Sequence, residues 1–208
     1  ERPRIQFVDP PLARIGAPHK MVVYGWNLPG GQPAELKVSG WDLLERKDVS
    51  LHLAGEKDIQ DPLQTRNPIE STQRRHDYRI SSPEGNSLPF SLAVCPAEWV
   101  KEQPGSDEIV KLSPPCEFVG SFFPARDRDR FRFEAKKGDA YKIEIHCERL
   151  GFPSHSYLLV EQVTPKDDGS ETRKTIAQSD KTDHPSSNSF LHLSSRDPSL
   201  RFTAPADG

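Results

Sequence analysis

The sequence predicts an all-β protein made of two antiparallel β-sandwich domains. Three observations lead to this fold class. Apolar and polar residues alternate over short runs, which is the period of half-buried strands. No stretch keeps the 3.6-residue period of a helix over several turns. In addition, 20 prolines and 13 glycines fall mostly between the runs and cut the chain into pieces of strand length.

The predicted strands follow these runs along the chain. Residues 21–25 predict a strand, residues 27–31 a glycine-containing turn, and residues 34–40 the next strand. Residues 172–178 predict one arm of a hairpin within the polar region 163–189. Only residues 96–103, PAEWVKEQ, predict a short helical turn. The other alternating sets are Val49, Leu51 and Leu53; Phe90, Leu92 and Val94; Phe131 and Phe133; Tyr141, Ile143, Ile145 and Cys147; and Leu200 and Phe202.

Two tetrapeptides, GWNL at 25–28 and GWDL at 40–43, are nearly identical. A phosphate-binding loop would need a lysine and a following helix, and neither is present. The 15-residue spacing is also too short for a usual solenoid repeat. We therefore interpret both tetrapeptides as strand ends beside turns, with Trp26 and Trp41 covering the sheet. The alternative is that these tryptophans are exposed and bind a sugar.

Charge and hydropathy favour no nucleic-acid or membrane partner. The 28 basic and 31 acidic residues are interspersed and leave a net charge of −3, so no basic face is expected. No apolar run is long enough to cross a bilayer. The first residue is Glu1 and no signal sequence follows it, which predicts a mature or excised fragment. The three cysteines match no zinc-ligand spacing and allow one disulfide at most, for which Cys95 and Cys116 are candidates.

The domain boundary is expected in the polar, Pro- and Gly-containing segment 96–108, which separates two groups of predicted strands. This gives a first domain over residues 1–97 and a second over residues 98–208.

No residue group has the pattern of a catalytic centre. His146 and Cys147 are neighbours on a predicted strand and would point to opposite faces, so this histidine cannot activate this thiol. Ser154 and His155 lie in a predicted loop without a nucleophile elbow. We therefore expect no enzyme activity.

A calcium site is predicted near the boundary. Asp127 and Asp129 are two residues apart, which places both carboxylates on one side if a strand has begun there. Glu102 and Asp107 could add hard oxygen ligands from the linker, as Ca²⁺ requires. The alternative is pairing of the aspartates with the interleaved arginines at 126, 128 and 130, which needs no metal.

Several short motifs in the second half resemble the bacterial pre-peptidase C-terminal domain. They are Gly120, the Asp127-x-Asp129-x-Phe131-x-Phe133 segment, the Lys137-Gly138-Asp139 turn, the Arg149-Leu150-Gly151-x-Pro153 segment, and the ending APADG at 204–208. Residues 105–208 carry this resemblance. Residues 8–31 are similar to the Ig-like domain that precedes this module in some large secreted bacterial proteins.

The resemblance implies a jelly-roll-like sandwich after an Ig-like one, used as a non-catalytic part of secreted proteins. Related modules bind Ca²⁺ and substrate fibres, which makes Ca²⁺ the candidate cofactor. The asparagine usual at the start of the family pattern is missing here. The pattern also continues for one more strand beyond Gly208, which predicts a fragment or a partner covering that sheet edge.

Two functions are left open. The first is a binding or spacer segment of a larger exported bacterial protein, located in the periplasm, at the cell surface or in the medium. Its partners would be an extracellular protein or polysaccharide, or other domains of the same polypeptide. The second is a pro-region or accessory domain that regulates a protease elsewhere in that polypeptide.

Overall fold

The computed structural model describes residues 1–38, 42–59, 74–95, 99–103, 108–122, 126–150, 152, 154–183 and 194–208. The fold is all-β, as predicted, and no α-helix occurs in these residues. No helix there is long and apolar enough to cross a membrane. The strands in chain order are β1 Arg4–Asp9, β2 Leu12–Ala13, β3 His19–Trp26, β4 Gln32–Val38, β5 Asp42–Leu51, β6 Arg75–Tyr78, β7 Ser81–Ser82, β8 Gly85–Asn86, β9 Phe90–Val94, β10 Trp99–Lys101, β11 Val110–Lys111, β12 Glu117–Val119, β13 Phe131–Arg132, β14 Ala140–Glu144, β15 Leu158–Pro165, β16 Glu171–Ser179, β17 Thr182–Asp183, β18 Ser194–Ser195 and β19 Ser199–Thr203.

The chain forms two compact units. Unit 1 contains Glu1–Glu102 and Glu117–Gly120, and unit 2 contains Gln103–Cys116 and Ser121–Gly208. Strand β12, which belongs to the segment resembling the pre-peptidase C-terminal domain, pairs in parallel with β10 and so lies in unit 1. The domain bounds 1–97 and 98–208 stay a prediction.

Unit 1 is built around a core shared by two sheets. A four-stranded antiparallel sheet has the order β1-β3-β5-β4, and a second sheet has the order β2-β9-β6. Met21 and Val23 of β3 are buried with Leu92 and Val94 of β9 in one cluster. Inward-facing residues of β3 and β9 alternate along each strand, which is the arrangement of a β-sandwich.

The turn between β3 and β4 confirms the prediction for residues 27–31. The Gly31 N–H donates to the Leu28 carbonyl at 2.8 Å, which closes a four-residue turn with Pro29 at its second position. Gly30 has a φ of +72°, and a type II turn of this kind requires such a residue at the third position. The Glu45 carboxylate also accepts the Leu28 N–H at 2.7 Å, tying the turn to β5.

The described residues of unit 2 form two-stranded sheets. Strands β14 and β19 pair antiparallel over five residues, and the aromatic rings of Phe133, Tyr141 and Phe202 pack in series with centroid distances of 5.1 and 5.4 Å. Strands β15 and β16 form the hairpin predicted around residues 172–178. Residues 184–189, at the end of the predicted loop, lie outside the described residues.

Three local predictions need correction. Residues 99–101 form β10 rather than a helical turn, because pairing with β12 overrides the local composition. Strand β13 spans only Phe131–Arg132, so Asp127 and Asp129 precede it and strand geometry does not align their side chains. Strand β14 ends at Glu144, before His146 and Cys147, since a 3₁₀ turn at Glu148–Leu150 follows.

Candidate functional site

Two motifs that lie far apart in the sequence meet in unit 2. The Lys137 N–H donates to the Asp207 carboxylate at 2.7 Å, and the Gly138 N–H donates to the Ala204 carbonyl at 2.9 Å. The Ala204 N–H in turn donates to the Asp139 carbonyl at 2.9 Å. Gly138 has a φ of +91°, which a side chain would disfavour. The Lys-Gly-Asp turn and the APADG segment therefore form one hydrogen-bonded structural unit.

A second pair of segments in unit 2 is joined by hydrogen bonds from backbone N–H groups of each segment to a carboxylate of the other. The Asp197 side chain is fully buried. Its Oδ1 atom accepts the N–H groups of Cys147 and Glu148 at 2.9 and 2.7 Å. The Glu148 carboxylate accepts the Arg196 N–H at 2.7 Å in return. These bonds hold the 3₁₀ turn at Glu148–Leu150 beside the start of β19. Asp197 was not predicted from the sequence, because nothing local distinguishes it from other loop aspartates.

The predicted calcium ligands fall in different parts of the chain. Asp127 and Asp129 are in unit 2, where the Asp127 carboxylate accepts the Arg128 N–H at 2.8 Å. Glu102 is the last residue of the first segment of unit 1, and its N–H donates to the Val119 carbonyl at 2.8 Å. Asp107 lies outside the described residues. Oxygen donors of this kind fit Ca²⁺ by their chemistry, and calcium binding stays a prediction.

Of the two tryptophans predicted as sugar contacts, only Trp26 lies in the described part of the chain. Trp26 ends β3 and is half-buried, and the Arg4 guanidinium lies 4.9 Å from the centre of its ring. This cation–π contact occupies one side of the indole. Trp41 lies outside the described residues. Both interpretations of Trp26 stay predictions.

The cysteines are present as thiols. Cys95, Cys116 and Cys147 are all free. Cys95 is buried at the end of β9, and this burial, together with the nearby Glu117 carboxylate, raises the pKa of its thiol to about 12. A thiol with such a pKa is protonated at neutral pH and is a poor nucleophile. Cys147 is half-buried rather than fully buried.

A cavity of about 250 Å³ that the sequence did not predict opens in unit 1. Trp99 and Lys101 of β10 lie on the same side of their strand. The ring of Trp99 stands at 90° to the His19 ring, with 5.7 Å between centroids, and Lys101 Nζ pairs with an Asp9 carboxylate oxygen at 2.9 Å. The lining residues are Asp9, Pro10, His19, Lys20, Met21, Val22, Trp99 and Lys101. The period-two spacing of Trp99 and Lys101 could have indicated this strand, but the helix-favouring residues around them led to the prediction of a helical turn.

His19 is the unusual residue of this cavity. Both of its ring nitrogens are buried and make no hydrogen bond to the described residues. The burial lowers the pKa of the imidazole because it disfavours the charged ring. The backbone of Leu12 lies near enough to offset part of that effect, although the contact falls short of hydrogen-bond geometry.

No family model, curated protein or solved structure matches this chain.

Proposed function

We propose that this chain is a non-catalytic binding or spacer segment of a larger exported bacterial protein. The observation that carries the proposal is the docking of the Lys-Gly-Asp turn onto the APADG segment. Both motifs belong to the resemblance with the pre-peptidase C-terminal domain. Their polar groups are engaged in holding unit 2 together, as expected for a module whose recurrent residues maintain a fold rather than a reaction centre.

The all-β architecture supports the same proposal. Sandwich modules present sheet faces and loops without needing a deep reaction cleft, and exported bacterial proteins use them as binding or spacing elements. Ca²⁺ is proposed as a structural ion, with Asp127 and Asp129 of unit 2 as candidate ligands. An extracellular polysaccharide or protein is the proposed partner class.

The experiment is a retention assay of the purified chain on insoluble chitin, cellulose and collagen, with soluble products measured in parallel. We expect saturable retention on one polymer and no release of soluble fragments. The heat-unfolded chain is the control, because specific retention requires the native fold. Absence of retention on all three polymers would remove the binding role and leave the spacer. Turnover that one substitution abolishes would contradict the proposal. A change in the activity of a protease from the same polypeptide would favour the regulatory alternative.

A further inference from the structure

The cavity in unit 1 follows the one part of β3 that lacks a strand on one side. Strand β1 pairs with β3 only as far as Asp9, which lies opposite Val22. Strand β5 continues along the other side of β3 to His19. In the described part of the chain, residues 19–21 therefore have no partner strand on the β1 side. An uncovered edge of this kind presents backbone N–H and C=O groups.

The cavity reaches the strand at this edge. Consecutive residues of a strand point their side chains to opposite faces. The cavity is nevertheless lined by the consecutive residues His19, Lys20, Met21 and Val22. A space that touches all four meets the strand along its edge, mainly at His19, Lys20 and Val22, because Met21 is almost fully buried. The cavity thus combines backbone donors and acceptors with the polar side chains around it.

The imidazole of His19 adds a further donor and acceptor. Its two nitrogens are buried and unpartnered in the described structure, and a buried polar group without a partner is costly. The neutral ring carries one N–H donor and one acceptor nitrogen. Both nitrogens lie below the accessible surface in this conformation, so a ligand reaches them only if the His19 ring rotates toward the cavity.

The rest of the lining restricts the class of ligand. Asp9 and Lys101 form an ion pair at the rim. Because their opposite charges compensate each other, the pair favours a ligand with hydrogen-bonding groups over a ligand with a net charge. Trp99 supplies a large apolar surface next to these groups, and an indole beside polar donors suits an amphipathic ring. The volume of about 250 Å³ lies below the usual range of about 300 to 1,000 Å³ for drug-sized ligands. The site therefore suits one small ring with several hydroxyl groups.

We infer that this cavity, lined by His19, Trp99, Asp9 and Lys101, is a binding subsite for a single sugar ring. The inference deepens the proposed binding role and rests on it, because it assigns the partner to the polysaccharide class. The aromatic residue of the subsite is then Trp99, rather than Trp26 or Trp41. A sugar of about 12 heavy atoms with the usual binding energy per atom would bind with a dissociation constant of roughly 2 mM.

The test is ligand-observed NMR titration of the full chain with glucose, galactose, N-acetylglucosamine and glucuronate, each to 50 mM. Glycerol is the control probe because it has hydroxyl groups but no ring. We expect saturable binding of at least one sugar and none of glycerol. Trp99→Ala should weaken sugar binding about tenfold, as loss of an aromatic contact surface implies.

Matched variants separate the cavity from the fold. Asp9→Asn and Lys101→Gln alter half-exposed rim residues and should weaken binding at least threefold without unfolding the protein, even if Trp99→Ala does not fold. Trp26→Ala and Asp48→Asn are the controls. Asp48 belongs to the exposed pair with Arg46, at 2.8 Å, and should leave binding unchanged.

Three results would overturn the inference: no binding by any of the four sugars, equal binding of glycerol, or sugar binding that the rim variants leave unchanged. The proposed function fails separately, because it is read from polymer retention and turnover. Retention on a polymer that persists in Asp9→Asn and Lys101→Gln would keep the binding role and reject this subsite.

Discussion

Gly25 shows how one backbone position permits two strands to pair. A Cβ atom at Gly25 would lie 1.9 Å from the Arg4 carbonyl oxygen, where β1 and β3 pair around an irregular register at Ile5 and Phe7. Gly25→Ala should therefore destabilise the protein by about 1 to 3 kcal/mol, measured by urea unfolding. Gly55→Ala is the matched control, because a Cβ atom at Gly55 would meet no other atom within 4 Å and the backbone there is extended. Equal stabilities of the two variants would contradict the assignment.

His19 should make stability depend on pH. Burial lowers the pKa of the folded imidazole below its ordinary value of 6.5, so the unfolded state binds the proton more readily. The stabilising contribution is then complete above pH 6.5 and is lost as the pH falls below that value. In the described part of the chain, the charged groups that line the cavity beside this ring are Asp9, Lys20 and Lys101.

His19→Gln should remove this component from the pH dependence of the unfolding free energy between pH 7.5 and 5. His52→Gln, which alters an exposed histidine of the same unit, is the matched control. An identical slope for wild type and His19→Gln would show that the ring is not held in its neutral form.

At the scale of elements, the reciprocal hydrogen bonds of the Asp197 and Glu148 carboxylates connect segments about 50 residues apart in sequence. Asp197→Ala leaves two backbone donors without their charged acceptor, and we expect a loss of about 3 kcal/mol in the free energy of unfolding. Asp168 is the control, because it also accepts two hydrogen bonds, from Ser170, but is exposed. Asp168→Ala should cost much less, because water replaces the hydrogen bonds of an exposed carboxylate. A similar loss in both variants would contradict a special role for Asp197.

Local patterns predicted elements better than the way the elements associate. Strands β3, β9 and β19 follow their alternating residues, and the turn at Leu28–Gly31 follows from proline and glycine chemistry. The pairing of β10 with β12 could not be predicted, because parallel pairing depends on distant residues and leaves no local pattern. The cavity beside Trp99 was also missed, because helix-favouring residues beside Trp99 obscured its period-two spacing with Lys101.

For the whole molecule, calcium is the first ligand to test, because an ion bound only to the native state raises stability by about 2.7 kcal/mol at 100 times its dissociation constant. We expect thermal unfolding of the chain to shift upward in millimolar Ca²⁺ relative to a chelator. Asp127→Ala or Asp129→Ala should abolish that shift, whereas Asp48→Ala in β5 should retain it. No shift in wild type would leave the two aspartates as ordinary polar residues before β13.

Among the candidate site residues, some could be predicted from residue type, whereas others could be found only from the folded structure. The sequence predicts Glu102, Asp107, Asp127 and Asp129 as calcium ligands by residue type alone, because carboxylate oxygens suit Ca²⁺, and this stays a prediction. It could not identify Asp197 or His19, because their properties come from burial.

Because Cys95 is buried, the reactivity of its thiol can be used to measure how often unit 1 opens. Alkylating reagents attack the thiolate, so Cys95 should react only in molecules whose β9 has transiently separated from the core. In a Cys116→Ser, Cys147→Ser background, the rate of modification by iodoacetamide would report the population of this open state. The rate should rise with urea in step with unfolding, and rapid modification in native buffer would show that the thiol is accessible.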